Sequence, residues 1–338
     1  MLVDLRSDTV TRPTPAMKSA MQNAVVGDDV FSDDPTINAL EAKAAELFNK
    51  EAALFCPSGT MTNQIAIKTH TQPTDEVIIE QTNHVYYYEV GGIAFHSGAS
   101  VRLISGDRGR ITPDDIIRNI NPNNLHHAHT SLVSIENTCN RGGGSFYTMQ
   151  QMADLSKTSR EYGLKIHLDG ARIFNALVEL HEQPNTLGQY FDSISVCLSK
   201  GLGCPVGSLL LGDHDFIKKA KRFRKVMGGG MRQAGYLAAA GIFALDNHVE
   251  RLKEDHLRAK KLGEVILNHK MVESLQPVDT NILIFKLKPQ YNADEFVSKL
   301  KSNEILSIPI GQNQIRFLTH LDVNDNQLEF VINSLNAI

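Results

Sequence analysis

The chain lacks the marks of a membrane protein, a nucleic-acid binder or a metal centre. No apolar stretch approaches the roughly 20 residues that cross a bilayer, and the first residues read as a folded segment, not a signal peptide. Positive charge is neither abundant nor clustered: 34 basic residues face 38 acidic ones, for a formal net charge of −4. That balance argues against nucleic-acid and anionic-membrane partners. The four cysteines, Cys56, Cys139, Cys197 and Cys204, form no Cys-x-x-Cys pair, so reduced thiols are expected in place of a disulfide framework or zinc site. His126, His127 and His129 cluster without the His-x-x-x-His spacing that frames zinc on a helix, and no metal is expected. Neither Gly-x-x-x-x-Gly-Lys-Ser/Thr nor a strand-borne Gly-x-Gly-x-x-Gly occurs. No internal repeat or low-complexity segment is present, and the expected compartment is the cytoplasm.

What is present suits an enzyme with one large and one small domain: 338 residues, 42% hydrophobic and 21% charged. Apolar runs and amphipathic segments alternate from about Pro35 to Gly212, which predicts an α/β fold with a mostly parallel sheet. Helices are expected at Pro35 to Asn49 and Met149 to Tyr162, and a long helical stretch from Met231 to about His269. Beyond it, Thr280 to Leu287, Asn292 to Lys301, Glu304 to Leu318 and Asn324 to Leu335 read as strand, helix, hairpin and helix. The expected division is an N-terminal arm (1–14), a large α/β domain (15–248) and a smaller α+β domain (249–338), which the arm joins.

Two motifs dominate the large domain. His167-Leu168-Asp169-Gly170-Ala171-Arg172 follows the apolar stretch Lys165 to Leu168, and Leu198-Ser199-Lys200-Gly201-Leu202-Gly203 follows Ser193 to Leu198. Both functional side chains would then emerge at the carboxyl ends of strands, where open α/β sheets bind ligands. An aspartate followed by a lysine fits pyridoxal phosphate: Lys200 forms the Schiff base, and Asp169 keeps the pyridine nitrogen protonated. Taken singly, Ser199-Lys200-Gly201 is an ordinary turn and Asp169 a helix cap. Their order with two further motifs gives them weight. Ser58-Gly59-Thr60-Met61-Thr62-Asn63 leads from the strand Ala52 to Phe55 into a helix, so Gly59 and Thr60 can cradle a phosphate. His84 follows the strand-like Val77-Ile78-Ile79-Glu80, where an imidazole can stack on the cofactor and exchange a proton with substrate. Among the tyrosines behind it, Tyr88 is the one expected to reach the cavity.

The chain resembles the threonine aldolases, pyridoxal-phosphate enzymes of the aspartate aminotransferase fold (fold type I). The resemblance begins at Asp4-Leu5-Arg6-Ser7-Asp8-Thr9-Val10-Thr11-Arg12-Pro13 and continues through Gly27-Asp28-Asp29-Val30, the Ser58 motif and His84. Ile135-Glu136-Asn137-Thr138, the Asp169 and Lys200 motifs, Gly228-Gly229-Gly230-Met231-Arg232-Gln233 and Arg316-Phe317-Leu318-Thr319-His320 carry it across nearly the whole chain. It implies that Arg316 pairs with the substrate carboxylate, assisted by Ser7, and that Arg172 bonds either that carboxylate or the cofactor's phenolic oxygen. His126 would approach the substrate side chain. Lys225 and Arg232 would reach the cofactor phosphate of a neighbouring protomer, giving a homodimer or homotetramer with shared active sites.

The implied reaction is retro-aldol cleavage of a small β-hydroxy-α-amino acid, with L-threonine and L-allo-threonine giving glycine and acetaldehyde. His84 or His126, directly or through water, accepts the β-hydroxyl proton. The alternative is another reaction of the same cofactor, such as β-elimination, transamination or racemisation, because groups facing the substrate choose among reactions that the cofactor shares.

Overall fold

The computed structural model describes residues 1–338. Its large sheet has seven strands in the spatial order Ala52–Cys56, Ser208–Gly212, Ser193–Cys197, Lys165–Gly170, His129–Glu136, Asp75–Glu80, Ser100–Ile104. Asp75–Glu80 and Ser193–Cys197 are buried along their whole lengths, and Lys165–Gly170 beyond its first residue. Layers on both faces explain why such strands read as continuous apolar runs without alternation. Only Ser208–Gly212 runs against its neighbours. All other carboxyl ends therefore gather along one edge of the sheet, at Cys56, Glu80, Ile104, Glu136, Gly170 and Cys197.

The reversal into Ser208–Gly212 is made by the tight connection that carries Lys200. Gly203 N–H donates to the Lys200 carbonyl (2.8 Å) and Leu198 N–H to the Gly207 carbonyl (3.0 Å). Gly203 and Gly207 have φ of +77° and +121°, and a Cβ on Gly207 would lie 2.5 Å from the Phe55 ring. Only glycine fits there. Lys200 thus stands on a loop whose two ends are pinned in adjacent strands.

Helices Pro35–Leu47 and Met149–Glu161 form where their spacing predicts them. Asp34 caps the first and Thr148 the second, the latter in a reciprocal box with Gln151. The single helical stretch expected from Met231 to His269 is instead two helices, Gly235–Asn247 and Leu252–Leu267. The break falls where the buried His248 bonds the Leu202 carbonyl through Nδ1 (2.7 Å), tying this junction to the lysine loop.

The C-terminal part has a four-stranded antiparallel sheet in the order Ile308–Gly311, Gln314–Leu318, Ile282–Leu287, Val272–Leu275. Helices Leu252–Leu267, Ala293–Ser302 and Asp325–Ala337 contribute to its apolar core. The N-terminal arm enters that core through Val3 and Leu5. Val3–Asp4 pairs in parallel with Ile305–Leu306, so the first residues of the expected hairpin serve the arm instead. This pairing delivers Ser7 and Asp8 to the carboxyl edge of the large sheet.

Candidate active site

A pocket of about 440 Å³ opens between the sheet edge, the arm and the C-terminal hairpin. Ser7, His84, Tyr88, Arg172, Lys200 and Arg316, separated widely in sequence, all line it.

Asp169 ends its strand directly beside Glu136 and is almost fully buried. Its oxygens accept hydrogen bonds from Asn63 Nδ2 (3.0 Å) and Ala171 N–H (3.1 Å), both neutral donors. The cap role open to it in sequence is thus limited to one turn N–H; the following helix, Ile173–Leu180, has no side-chain cap. Asn63 is the hub of this buried region. Its Nδ2 also donates to Glu89 Oε1 (3.0 Å), and its Oδ1 faces His167 Nε2 at 3.2 Å. Burial pushes the His167 pKa down to about 3, so the ring is neutral. Neutral His167 donates from Nε2 to Asn63 and accepts at Nδ1 from the Ser193 hydroxyl, 2.8 Å away. The two carboxylates hold the Asn63 NH₂ toward them, and its carbonyl oxygen is left to take the His167 N–H.

His84 begins the short helix His84–Tyr87, its backbone N–H donating to Glu136 Oε2 (2.6 Å). Its Nδ1 lies 3.0 Å from Glu89 Oε1, and its ring centroid is 5.5 Å from that of Tyr88. Burial alone would lower its pKa, but the Glu89 hydrogen bond and the charges of Asp169 and Glu89 outweigh it and raise the value. Burial, with the nearby Asp169 charge, lifts Glu136 to about 7.

The two predicted arginines differ. Arg172 makes a buried two-pronged pair with Asp8, Nε and Nη2 each 2.7 Å from a carboxylate oxygen. Desolvation opposes the charge on Asp8, yet Arg172 and Lys200 hold its pKa down at about 2. Arg172 therefore reaches the pocket with Nε and Nη2 turned to Asp8 and Nη1 left over for a ligand. Arg316 has no such partner. Nη1 donates to Asn140 Oδ1 (2.8 Å) and Nη2 to the Arg6 carbonyl (3.2 Å), while the buried Nε has no acceptor in the chain. Burial and the neighbouring Arg172 charge lower its pKa to about 10. A buried cation bonded only to neutral groups is a receptor for an anion.

Ser7 Oγ accepts from the Thr9 N–H (3.2 Å) and hydroxyl (2.8 Å), so it caps a short turn while lining the pocket. Gly59 and Thr60 open helix Gly59–His70, capped by Ser58. Beside Gly59, close enough that an added Cβ would meet it at 3.4 Å, lies the Ser208 hydroxyl, buried and without a partner. The helix N–H groups and this hydroxyl fit a phosphate; buried Asp169, bonded only to neutral donors, fits a protonated pyridine nitrogen. The residues present match pyridoxal phosphate.

Three predicted residues stay outside the pocket of their own chain. His126 is exposed on the turn before His129–Glu136, at the amino end of a strand whose carboxyl end meets the site. Eight residues at about 3.3 Å each separate the two ends by about 25 Å, which corrects its placement at this chain's substrate. Lys225 is exposed near the end of helix His214–Val226, and exposed Arg232 lies 3.5 Å from Asp28 Oδ2.

Asp8, Asn63, Glu89, Glu136, Asn140 and Arg141 were not singled out from sequence. Asp8, Asn63 and Glu136 sit inside motifs that carry the resemblance, so a search for buried acids and amides beside the known positions would have reached them. Glu89 carries no local signal; only the packing of its segment beneath helix Gly59–His70 makes it a partner of His84.

The family model described as beta-eliminating lyase matches residues 4–289. A low specificity L-threonine aldolase of Escherichia coli (strain K12) is 44% identical over 330 residues, 97% of this chain and 96% of that protein. The low specificity L-threonine aldolase of Saccharomyces cerevisiae is 40% identical over 307 residues, 89% of this chain and 78% of the relative. The fold matches that of a Leishmania major threonine aldolase with a TM-score of 0.85 at 22% identity, covering 99% of this chain and 98% of that one. A Sphingomonas wittichii serine palmitoyltransferase shares the fold at a TM-score of 0.77 and 15% identity, over 99% and 86% of the two chains.

Proposed function

The chain belongs to the beta-eliminating lyase family, among the low-specificity L-threonine aldolases, and we propose that it cleaves L-threonine and L-allo-threonine to glycine and acetaldehyde. It is a pyridoxal-phosphate-dependent lyase of fold type I. The observation that carries the reading is Arg316, a buried guanidinium without an acidic partner, in one pocket with Lys200 and His84.

When bound, pyridoxal phosphate supplies an aldehyde for an amine and a ring that takes up the electrons released at Cα. Lys200 is the amine the chain offers to that aldehyde. Asp169, held by Asn63 and Ala171, answers the positive ring nitrogen; Gly59, Thr60 and Ser208 are the phosphate donors from this chain. Arg316 pairs with the substrate carboxylate, with Ser7 beside it and Arg172 adding positive potential. Fixing that carboxylate turns a chosen bond at Cα toward cleavage, so orientation selects the reaction. His84 accepts the β-hydroxyl proton: Glu89 occupies Nδ1 and leaves Nε2 as the free base. Tyr88 flanks the His84 ring and shields that side of the pocket.

Lys225, Arg232 and His126 point outward from their own chain, and the roles assigned to them require a second copy. Self-association as a homodimer or homotetramer brings them to a neighbour's site. Phe31 (75% exposed), Val226 (84%) and Tyr236 (46%), near the Gly228 loop, support a contact on that face. No helix is long and apolar enough to cross a membrane, and all four cysteines are free and buried, which supports work in the reducing cytoplasm.

Lys200→Ala tests the central assignment. Wild-type protein loaded with pyridoxal phosphate acquires visible absorbance from the bound cofactor and releases acetaldehyde from threonine. The variant loses the acetaldehyde release, and borohydride no longer fixes the cofactor to the chain; retention of either removes Lys200 from its role.

A further inference from the structure

Arg141 has no part in the cleavage of threonine derived above, yet it lines the same pocket. Its guanidinium carbon lies 5.2 Å from the Tyr87 ring centroid and 5.8 Å from that of Tyr88. Nη1 donates to the Ile310 carbonyl on the C-terminal hairpin, and no acidic side chain pairs with this arginine. Two aromatic faces and one carbonyl therefore hold its planar fork in place and leave most of its donors uncommitted.

The neighbourhood is strongly cationic. The pocket wall contains Arg141, Arg172, Arg316 and Lys200, and no aspartate or glutamate. Asp8 neutralises Arg172 from behind. One substrate carboxylate answers Arg316, and Arg141 then remains as a second fixed cation. Its place relative to the reacting atoms follows from Tyr88, whose ring neighbours both His84 (centroids 5.5 Å apart) and Arg141 (5.8 Å). A substrate whose β-hydroxyl faces His84 carries its β-substituent past Tyr88 toward Arg141. The methyl group of threonine makes no use of a guanidinium there; a carboxylate does.

We propose that this pocket also takes β-hydroxy-α-amino acids with a second carboxylate on the β-carbon, 3-hydroxyaspartate being the smallest, with Arg141 as the residue that selects them. The inference rests on the retro-aldol reading and extends its substrate class. The Cα–Cβ bond breaks and its electron pair stays with the glycine fragment, which gains a proton at Cα. The β-hydroxyl gives its proton to His84 and becomes the aldehyde oxygen of glyoxylate. Glycine and glyoxylate together account for every atom of 3-hydroxyaspartate, and no oxidant or reductant is needed.

The test uses the cofactor-loaded wild-type protein, Arg141→Gln and Arg141→Lys, with the L-threo and L-erythro forms of 3-hydroxyaspartate run beside L-threonine. Glyoxylate and acetaldehyde are each quantified against glycine. A charged hydrogen bond of this kind predicts that Arg141→Gln lowers the kcat/KM ratio, 3-hydroxyaspartate over threonine, about ten- to a hundredfold. The lysine variant recovers part of that loss. Calorimetric binding of L-aspartate and L-alanine provides a readout independent of turnover, with the preference for aspartate falling in Arg141→Gln. An arginine that merely braces Tyr87, Tyr88 and Ile310 would alter both substrates alike and leave both ratios in place, and that result overturns the proposal. Wild-type protein that cleaves threonine but forms no glyoxylate also overturns it while leaving the aldolase reading intact. Cleavage of neither substrate sinks both.

Discussion

Replacing Arg316 by methionine separates function from stability, because the two should move in opposite directions. The guanidinium is buried beside Arg172, and the depression of its pKa to about 10 corresponds to about 3 kcal/mol of penalty on the charged form. Against that stand hydrogen bonds to Asn140 and to the Arg6 carbonyl, about 1 kcal/mol each. Methionine keeps most of the apolar stem, so the variant should be more stable than wild type by about 1 kcal/mol. Activity should collapse. Removing one partner of a buried charged pair costs about 2–5 kcal/mol, or about 30- to 5,000-fold in kcat/KM. Thermal melts at fixed protein and cofactor concentration, alongside steady-state cleavage of L-threonine, measure both effects. A melting temperature several degrees below wild type would make Arg316 a strut of the fold, and kcat/KM within tenfold of wild type would end its role as carboxylate receptor.

Two other substitutions probe the supporting shell. Asp8→Asn leaves Arg172 buried without its counter-ion, and a urea titration should show a loss of about 3–5 kcal/mol; a loss below about 1 kcal/mol would mean that water or another group replaces the pair. Because Asp8 is held at about 2, its contribution is complete above the ordinary aspartate range and disappears as pH falls through about 2, so the variant should lack that segment of the wild-type acid-unfolding curve. Glu89→Gln removes the charge that raises the His84 pKa and leaves only a neutral acceptor in the hydrogen bond. The His84 limb of the kcat/KM–pH profile should move to lower pH, and an unmoved limb would assign it to another group.

Much of this arrangement was legible because each functional position lies just beyond a buried strand, and such strands are continuous apolar runs. Lys165–Gly170 and Ser193–Cys197 announce where Asp169 and Lys200 emerge. The reversed strand Ser208–Gly212 escaped notice, since its Leu209-Leu210-Leu211 core reads alike in either direction. Direction is set by the glycine-bearing turn after Lys200, a matter of backbone conformation. The pairing of Arg172 with Asp8 spans 164 residues and depends on the N-terminal arm reaching the sheet edge. Sequence named the arginine but not the acid that occupies its fork. His126 shows the converse difficulty, since nothing in the sequence marks it as standing before the amino end of its strand, away from the pocket of its own chain. Glu89 is a charged residue in a connecting segment, indistinguishable from a solvated one until Asn63, Gln64 and His84 close around it.

The most direct test of the central claim is product stoichiometry. The protein, loaded with pyridoxal phosphate, is incubated separately with L-threonine and L-allo-threonine, and acetaldehyde and glycine are quantified in the same tubes. Equimolar acetaldehyde and glycine from at least one isomer are the predicted result, and the ratio of the two rates gives the β-carbon preference. A 2-oxo acid without acetaldehyde, from protein that shows the absorbance of bound cofactor, would contradict the account and place the chain's chemistry in elimination or transamination.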